Sequence, residues 1–82
     1  MTEILIADTL MQDISKVFEK EVGALSRDTR LREDLNAKSM QKLAIAASVE
    51  ELTGKRVSYA QINNCKTLGE VIEFAETLLK PR

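Results

Sequence analysis

In three stretches of this chain, apolar residues recur every three or four positions, the spacing that lines one side of an α-helix. The first stretch is expected to begin near Asp8 or Thr9, where Thr9 and Gln12 suit a capping box. Leu10, Ile14, Val17 and Phe18 follow at helical spacing with Glu21, and Gly23 is a natural stop. The second runs from about Ser39 to Thr53. Met40, Leu43, Ala44 and Ala47 form one apolar line, and Ile45, Val49 and Leu52 form another. A helix apolar on so much of its circumference is expected at the centre of its bundle. Gly54 ends it, and Lys55 and Arg56 suit the negative end of its dipole. In the last stretch Thr67 and Glu70 open a helix whose Leu68, Val71, Ile72, Ala75, Leu78 and Leu79 share a face, with Pro81 closing it. Between these, Ser58 and Gln61 cap a short third helix carrying Tyr59 and Ile62, which Asn63 and Asn64 break.

From Ala24 to Lys38 no period holds. A connection of that length is unusual in a chain of 82 residues and often functional. Leu31 and Leu35 are its large apolar anchors and must pin it to the core, because an unpinned loop would not offset its ordering entropy. The length predicts one domain over residues 1–82, and with 4% aromatics its core is aliphatic. Such a core supports a net stability of up to ~5 kcal/mol.

The inventory removes whole classes of function. Without histidine there is no Ser-His-Asp or Cys-His arrangement, and no metal-ligand cluster or glycine-rich phosphate loop is present. One cysteine forms no internal disulfide. A formal charge of −1 with both signs interspersed gives no field for nucleic acid. The Ile4-Leu5-Ile6 run is too short for a signal peptide or a membrane span, so a soluble, cytoplasmic monomer without enzymatic activity is expected. Glu50 and Glu51 need no explanation beyond a solvated helix face.

Ser39 stands at the start of the second helix, just after the long loop. It reads either as a helix cap or as a hydroxyl esterified by a phosphate-linked arm. The second reading fits because free N–H groups and the positive dipole end favour an attached phosphodiester. A separate transferase would supply the base and metal, so the missing histidine does not count against it.

The residues around Ser39 resemble those of the phosphopantetheine-binding carriers, the acyl carrier proteins and the related peptidyl and aryl carriers. Leu31-Arg32-Glu33-Asp34-Leu35 is similar to the family's approach to its site, and Asn36-Ala37-Lys38-Ser39-Met40 occupies its Gly-x-Asp-Ser-Leu signature. Glu50-Glu51-Leu52-Thr53-Gly54 resembles the end of the second helix, and Cys65-Lys66-Thr67-Leu68-Gly69-Glu70-Val71 the entry to the last. The resemblance covers nearly the whole chain. It implies an all-α, acyl-carrier-protein-like four-helix bundle, right-handed or irregular, with three main helices and one short third helix. It also implies 4′-phosphopantetheine on Ser39, whose thiol carries acyl or aminoacyl groups as thioesters. The implied partners are a phosphopantetheinyl transferase and acyl-loading and acyl-processing enzymes of fatty-acid, polyketide or specialised biosynthesis, with the acyl chain as cargo.

Two positions depart from the family's pattern: Asn36 replaces its glycine and Lys38 the aspartate before the serine. Gln41 and Lys42 lie where acids are common in the family, while Glu50 and Glu51 remain. Lys38, Met40, Gln41, Lys42, Glu50 and Glu51 are the expected docking residues, for a dedicated partner set. Lys38 and Lys42 could also contact the prosthetic phosphate. Met40, Leu43, Val57 and Ile62 are expected in the core, with Leu43, Val57 and Ile62 also lining a cargo site. Cys65 is expected as a buried structural thiol. The rival reading keeps the fold without the arm: a degenerate, unmodified docking protein.

Overall fold

A computed structural model of the chain describes residues 2–79, with side chains from Ile6 to Leu79. Pro81, expected to close the last helix, lies outside the described residues. Four α-helices follow in order: α1 (Thr2–Phe18), α2 (Ser39–Thr53), α3 (Tyr59–Asn63) and α4 (Leu68–Leu79). The described residues contain no strand beyond one isolated antiparallel bridge between Arg30 and Thr67. This is the all-α bundle with a short third helix that the apolar spacing and the resemblance implied. α1 packs on α2 and α4, and α2 also packs on α3. The centre is aliphatic: Leu10 and Ile14 of α1, Ile45 and Val49 of α2, Ile62 of α3, and Leu68, Val71 and Ile72 of α4 are at most 1% exposed.

Helix α1 departs from expectation at both ends. It begins at Thr2, so Thr9 and Gln12 are interior residues and cap nothing. Ile6, Leu10 and Ile14 are all buried, and this extra apolar residue one turn earlier carries the helix back. The helix ends at Phe18, well before Gly23. Glu19 takes a left-handed conformation with φ of 55°. Lys20 N–H donates to the Ser15 carbonyl (2.9 Å) and Glu19 N–H to that of Lys16 (3.2 Å). This is a Schellman stop built on a non-glycine residue. Gly23 lies in a single 3₁₀ turn, Val22–Ala24.

Helix α2 matches its expected bounds but not its expected surroundings. Ile45, Ala46 and Val49 are buried, whereas Met40 is 81% and Leu43 51% exposed, and Ala47 is exposed too. Met40 and Leu43 are therefore not core residues, and α2 is not enclosed. The reason is the length of α3: five residues cannot cover a fifteen-residue neighbour. Helix α3 forms as read, with Ser58 Oγ accepting from Gln61 N–H (3.2 Å) and Gln61 Oε1 accepting from Ser58 N–H (2.8 Å).

The long connection is ordered by three leucines, Leu25, Leu31 and Leu35, all at most 8% exposed. Leu25 was not among the expected anchors. Backbone pairing adds to them: Leu31 N–H donates to Lys66 O (3.0 Å), Leu68 N–H to Thr29 O (2.9 Å) and Gly69 N–H to Arg27 O (2.9 Å). The last two acceptors satisfy amides at the start of α4 that its own turns leave unpaired. Gly69 permits this approach, since a Cβ there would meet Arg27 O at 3.0 Å.

The two stops make a matched test. Gly54 ends α2 with φ of 72° and open space around the position of an added Cβ, so Gly54→Ala adds conformational strain alone. It should lower stability by about 1 kcal/mol, and Glu19→Gly should raise it by up to ~1 kcal/mol, in urea unfolding at unchanged m.

Candidate functional site

The backbone that delivers Ser39 turns tightly on itself. Leu35 N–H reaches Arg30 O (3.1 Å), Asn36 N–H reaches Arg32 O (3.1 Å), and Ala37 N–H reaches Leu31 O (2.8 Å). Asn36 has φ of 51°, a left-handed conformation that asparagine tolerates best after glycine. The exchange of the family's glycine for Asn36 thus preserves the turn. Asp34 braces it: its Oδ2 accepts from Arg30 N–H (2.8 Å), and Oδ1 lies 3.4 Å from the Arg30 guanidinium. That backbone hydrogen bond, with the guanidinium beside it, holds the Asp34 carboxyl below its ordinary pKa.

Ser39 is the first residue of α2, and the capping position belongs to Lys38, which is extended at φ −95° and ψ 171°. A lysine ammonium has no acceptor, so only half of a capping box forms: Gln41 Oε1 accepts from Lys38 N–H (2.8 Å). The first backbone bond of the helix runs from Lys42 N–H to Lys38 O (2.9 Å). The N–H groups of Ser39, Met40 and Gln41 find no acceptor among the described residues. Ser39 Oγ is exposed and makes no hydrogen bond there either. The cap reading of Ser39 is therefore displaced by one residue: Ser39 caps nothing, and its hydroxyl is unengaged.

The other expected residues divide. Lys38, Met40, Gln41 and Lys42 share the first turn with Ser39, but Lys42 is occupied: its Nζ donates to Asn63 Oδ1 (2.7 Å) and lies 5.9 Å from the centre of the Tyr59 ring. Glu50 and Glu51 sit about 17 Å further along the helix axis. Glu50 is turned to its own chain, with Oε2 accepting from Val57 N–H (2.8 Å), while Glu51 is exposed. Val57 and Ile62 are buried; Leu43 is not, so the three do not meet as one core patch.

A feature absent from the sequence reading adjoins the site. A groove of about 760 Å³ runs between the 30–37 turn, the start of α2, the end of α3 and the start of α4. Lys38 and Lys42 are on its wall, with Arg30, Arg32, Asn63 and Lys66 from three other segments. Only the pairing of the turn with residues 66–69 assembles them, and no local spacing announces it. Cys65 also lines it and is half-buried rather than enclosed, its thiol donating to Gln61 O (3.5 Å). Burial first, then the Glu70 carboxylate, pushes this thiol up to about 11. Glu70 itself accepts from Lys66 N–H (2.6 Å), while Thr67 Oγ1 caps Glu70 N–H (3.2 Å). Among the described residues there is no His, Cys, Asp or Glu cluster that could hold a metal ion, and no helix long and apolar enough to cross a membrane.

No protein-family model matches the chain. Curated proteins do. Acyl carrier protein 2 of Ralstonia nicotianae is 25% identical over 79 residues, spanning 96% of this chain and 98% of that protein. The acyl carrier protein of Exiguobacterium sibiricum is 26% identical over 77 residues, 94% of this chain and 98% of its own length. The chain is related to the acyl carrier proteins. With that of Saccharopolyspora erythraea the identity is 26% over 74 residues, 85% of this chain and 78% of that protein. The acyl carrier protein relationship thus runs through all four helices, not through the Ser39 segment alone.

Two outcomes follow from the local geometry. Lys38→Asp supplies an acceptor to the bare amides and a favourable charge at the dipole, and should raise stability by ~1 kcal/mol in urea unfolding. Cys65 should alkylate at pH 8 on the order of a hundredfold more slowly in the folded chain than in denaturant. Because its pKa is raised by folding, its contribution to stability is complete below about pH 8.5 and is lost as pH rises towards 11.

Proposed function

We propose that residues 1–82 form one carrier domain, which holds 4′-phosphopantetheine on Ser39 and presents acyl or aminoacyl intermediates to successive biosynthetic enzymes. The observation that carries this reading is the Ser39 hydroxyl: exposed, at the head of α2, and, among the described residues, unbonded and beside three N–H groups without acceptors. Those groups suit an anionic phosphodiester, and the exposed oxygen is open to a transferase. Lys38, beside the serine, adds a compensating charge; Lys42 is committed to Asn63. The bound arm supplies a terminal thiol that holds cargo as a thioester. The chain's own part is to anchor, orient and dock.

The docking face would be the open side of α2, where Met40 and Leu43 forgo part of the ~1.5–3 kcal/mol that burial gives such side chains. A partner that covers them recovers it. The enzymes would be a phosphopantetheinyl transferase and the loading and processing enzymes of fatty-acid, polyketide or specialised biosynthesis. The docking-only reading is favoured by one observation, Lys38 in place of the family's aspartate.

Intact mass after co-expression with a broad-specificity phosphopantetheinyl transferase separates the two. A gain of one phosphopantetheine that vanishes in Ser39→Ala is expected. An unmodified chain with every transferase tried, and with Lys38→Asp equally unmodified, would leave the docking-only reading.

A further inference from the structure

Charge is segregated on this molecule in a way its net value conceals. Five cationic residues and two carboxylates line the groove beside Ser39, a surplus of three positive charges in a chain of formal net charge −1. Of the two groove carboxylates, Glu70 accepts from Lys66 N–H and Glu33 is exposed; Asp34, next to Glu33, accepts from Arg30 N–H. Arg30 is paired with Asp34 and Lys42 with Asn63, but Arg32, Lys38 and Lys66 are exposed and have no side-chain partner among the described residues.

From this we infer that the groove is a docking surface for the acidic face of a protein partner, an enzyme acting at Ser39. The inference rests on the carrier reading only for what that partner does; binding itself needs no arm. Charge complementarity selects the partner. An approaching acidic surface meets three cations with no competing partner, at the same end of α2 as the exposed Met40 and Leu43. A basic surface would meet the surplus charge with few exposed carboxylates to answer it. Apolar contact with Met40 and Leu43 would supply affinity, and the groove would supply orientation and the rate of encounter.

The test uses the Ser39→Ala variant of the 82-residue chain, so that modification plays no part, with decaglutamate and decalysine as probes and amide NMR shifts as readout. At an ionic strength of about 0.01 M, decaglutamate should shift the amides of Arg32, Lys38, Asn63 and Lys66. Binding should weaken several-fold at about 0.15 M, where screening is shorter in range. The triple variant Arg32→Gln, Lys38→Gln, Lys66→Gln should lose it. The control Lys16→Gln, Lys20→Gln, Lys55→Gln, with the same net-charge change at exposed residues outside the groove, should keep it. Far-ultraviolet circular dichroism of both variants checks that each is folded. Equal loss in the control would reduce the effect to net charge and overturn the inference. So would shifts of the same amides by decalysine. Inorganic phosphate producing the full pattern, with decaglutamate adding nothing, would make the groove a small-anion site and also overturn it. None of these outcomes bears on whether Ser39 is modified, which the mass measurement decides separately.

Discussion

The structure depends on the pairing of the 25–38 connection with the entry to α4. Its three buried leucines hold this backbone against its conformational entropy. Its polar groups are paired at the same place. Thr29 O and Arg27 O take amides at the head of α4, and Leu31 N–H takes the carbonyl of Lys66. One set of bonds therefore closes the loop, completes the start of α4 and fixes where α2 begins. Ser39 is placed by a strap anchored at both ends.

That strap also explains why the groove exists. It brings Arg30 and Arg32 alongside Lys66 and the head of α2, residues from separate parts of the chain. Their charges repel, and Asp34 and Glu70 reduce that repulsion only while serving as backbone acceptors. A surplus remains because five cations line the groove against two carboxylates, Glu33 and Glu70.

Much of this was legible in the sequence. Helix α4 carries a strong apolar period, α2 runs between its expected bounds at Ser39 and Gly54, and the Ser58–Gln61 pair marks α3 correctly because both halves of its box can form. Leu31 and Leu35 were readable as anchors for the same reason: they are the large apolar residues in a polar stretch. Helix α1 was misread at each end. Thr9 and Gln12 imitate a cap inside a helix, and the stop at Glu19 uses a left-handed residue with no glycine to announce it. Of the two readings of Ser39, the cap fails by a single position, and that one step separates a bonded hydroxyl from an unengaged one. The exposure of Met40 and Leu43 and the groove were not legible. Both depend on which elements are available to cover a face, and apolar spacing within one helix does not contain that information.

The two ends of α2 obey opposite rules. At its C-terminus every local preference is met: Gly54 adopts the left-handed stop, Thr53 Oγ1 accepts from Lys55 N–H (3.2 Å), and Glu50 accepts from Val57 N–H. At its N-terminus several are broken together. A lysine occupies the cap, three amides lack acceptors, and a methionine and a leucine face solvent. An acceptor side chain at the cap would satisfy part of this at a gain of ~1 kcal/mol, so stability alone does not explain Lys38. Local rules tend to fail together where a surface is kept for a partner. The pattern sets this end of α2 apart independently of the resemblance: the same turn that leaves the amides bare leaves the Ser39 hydroxyl free.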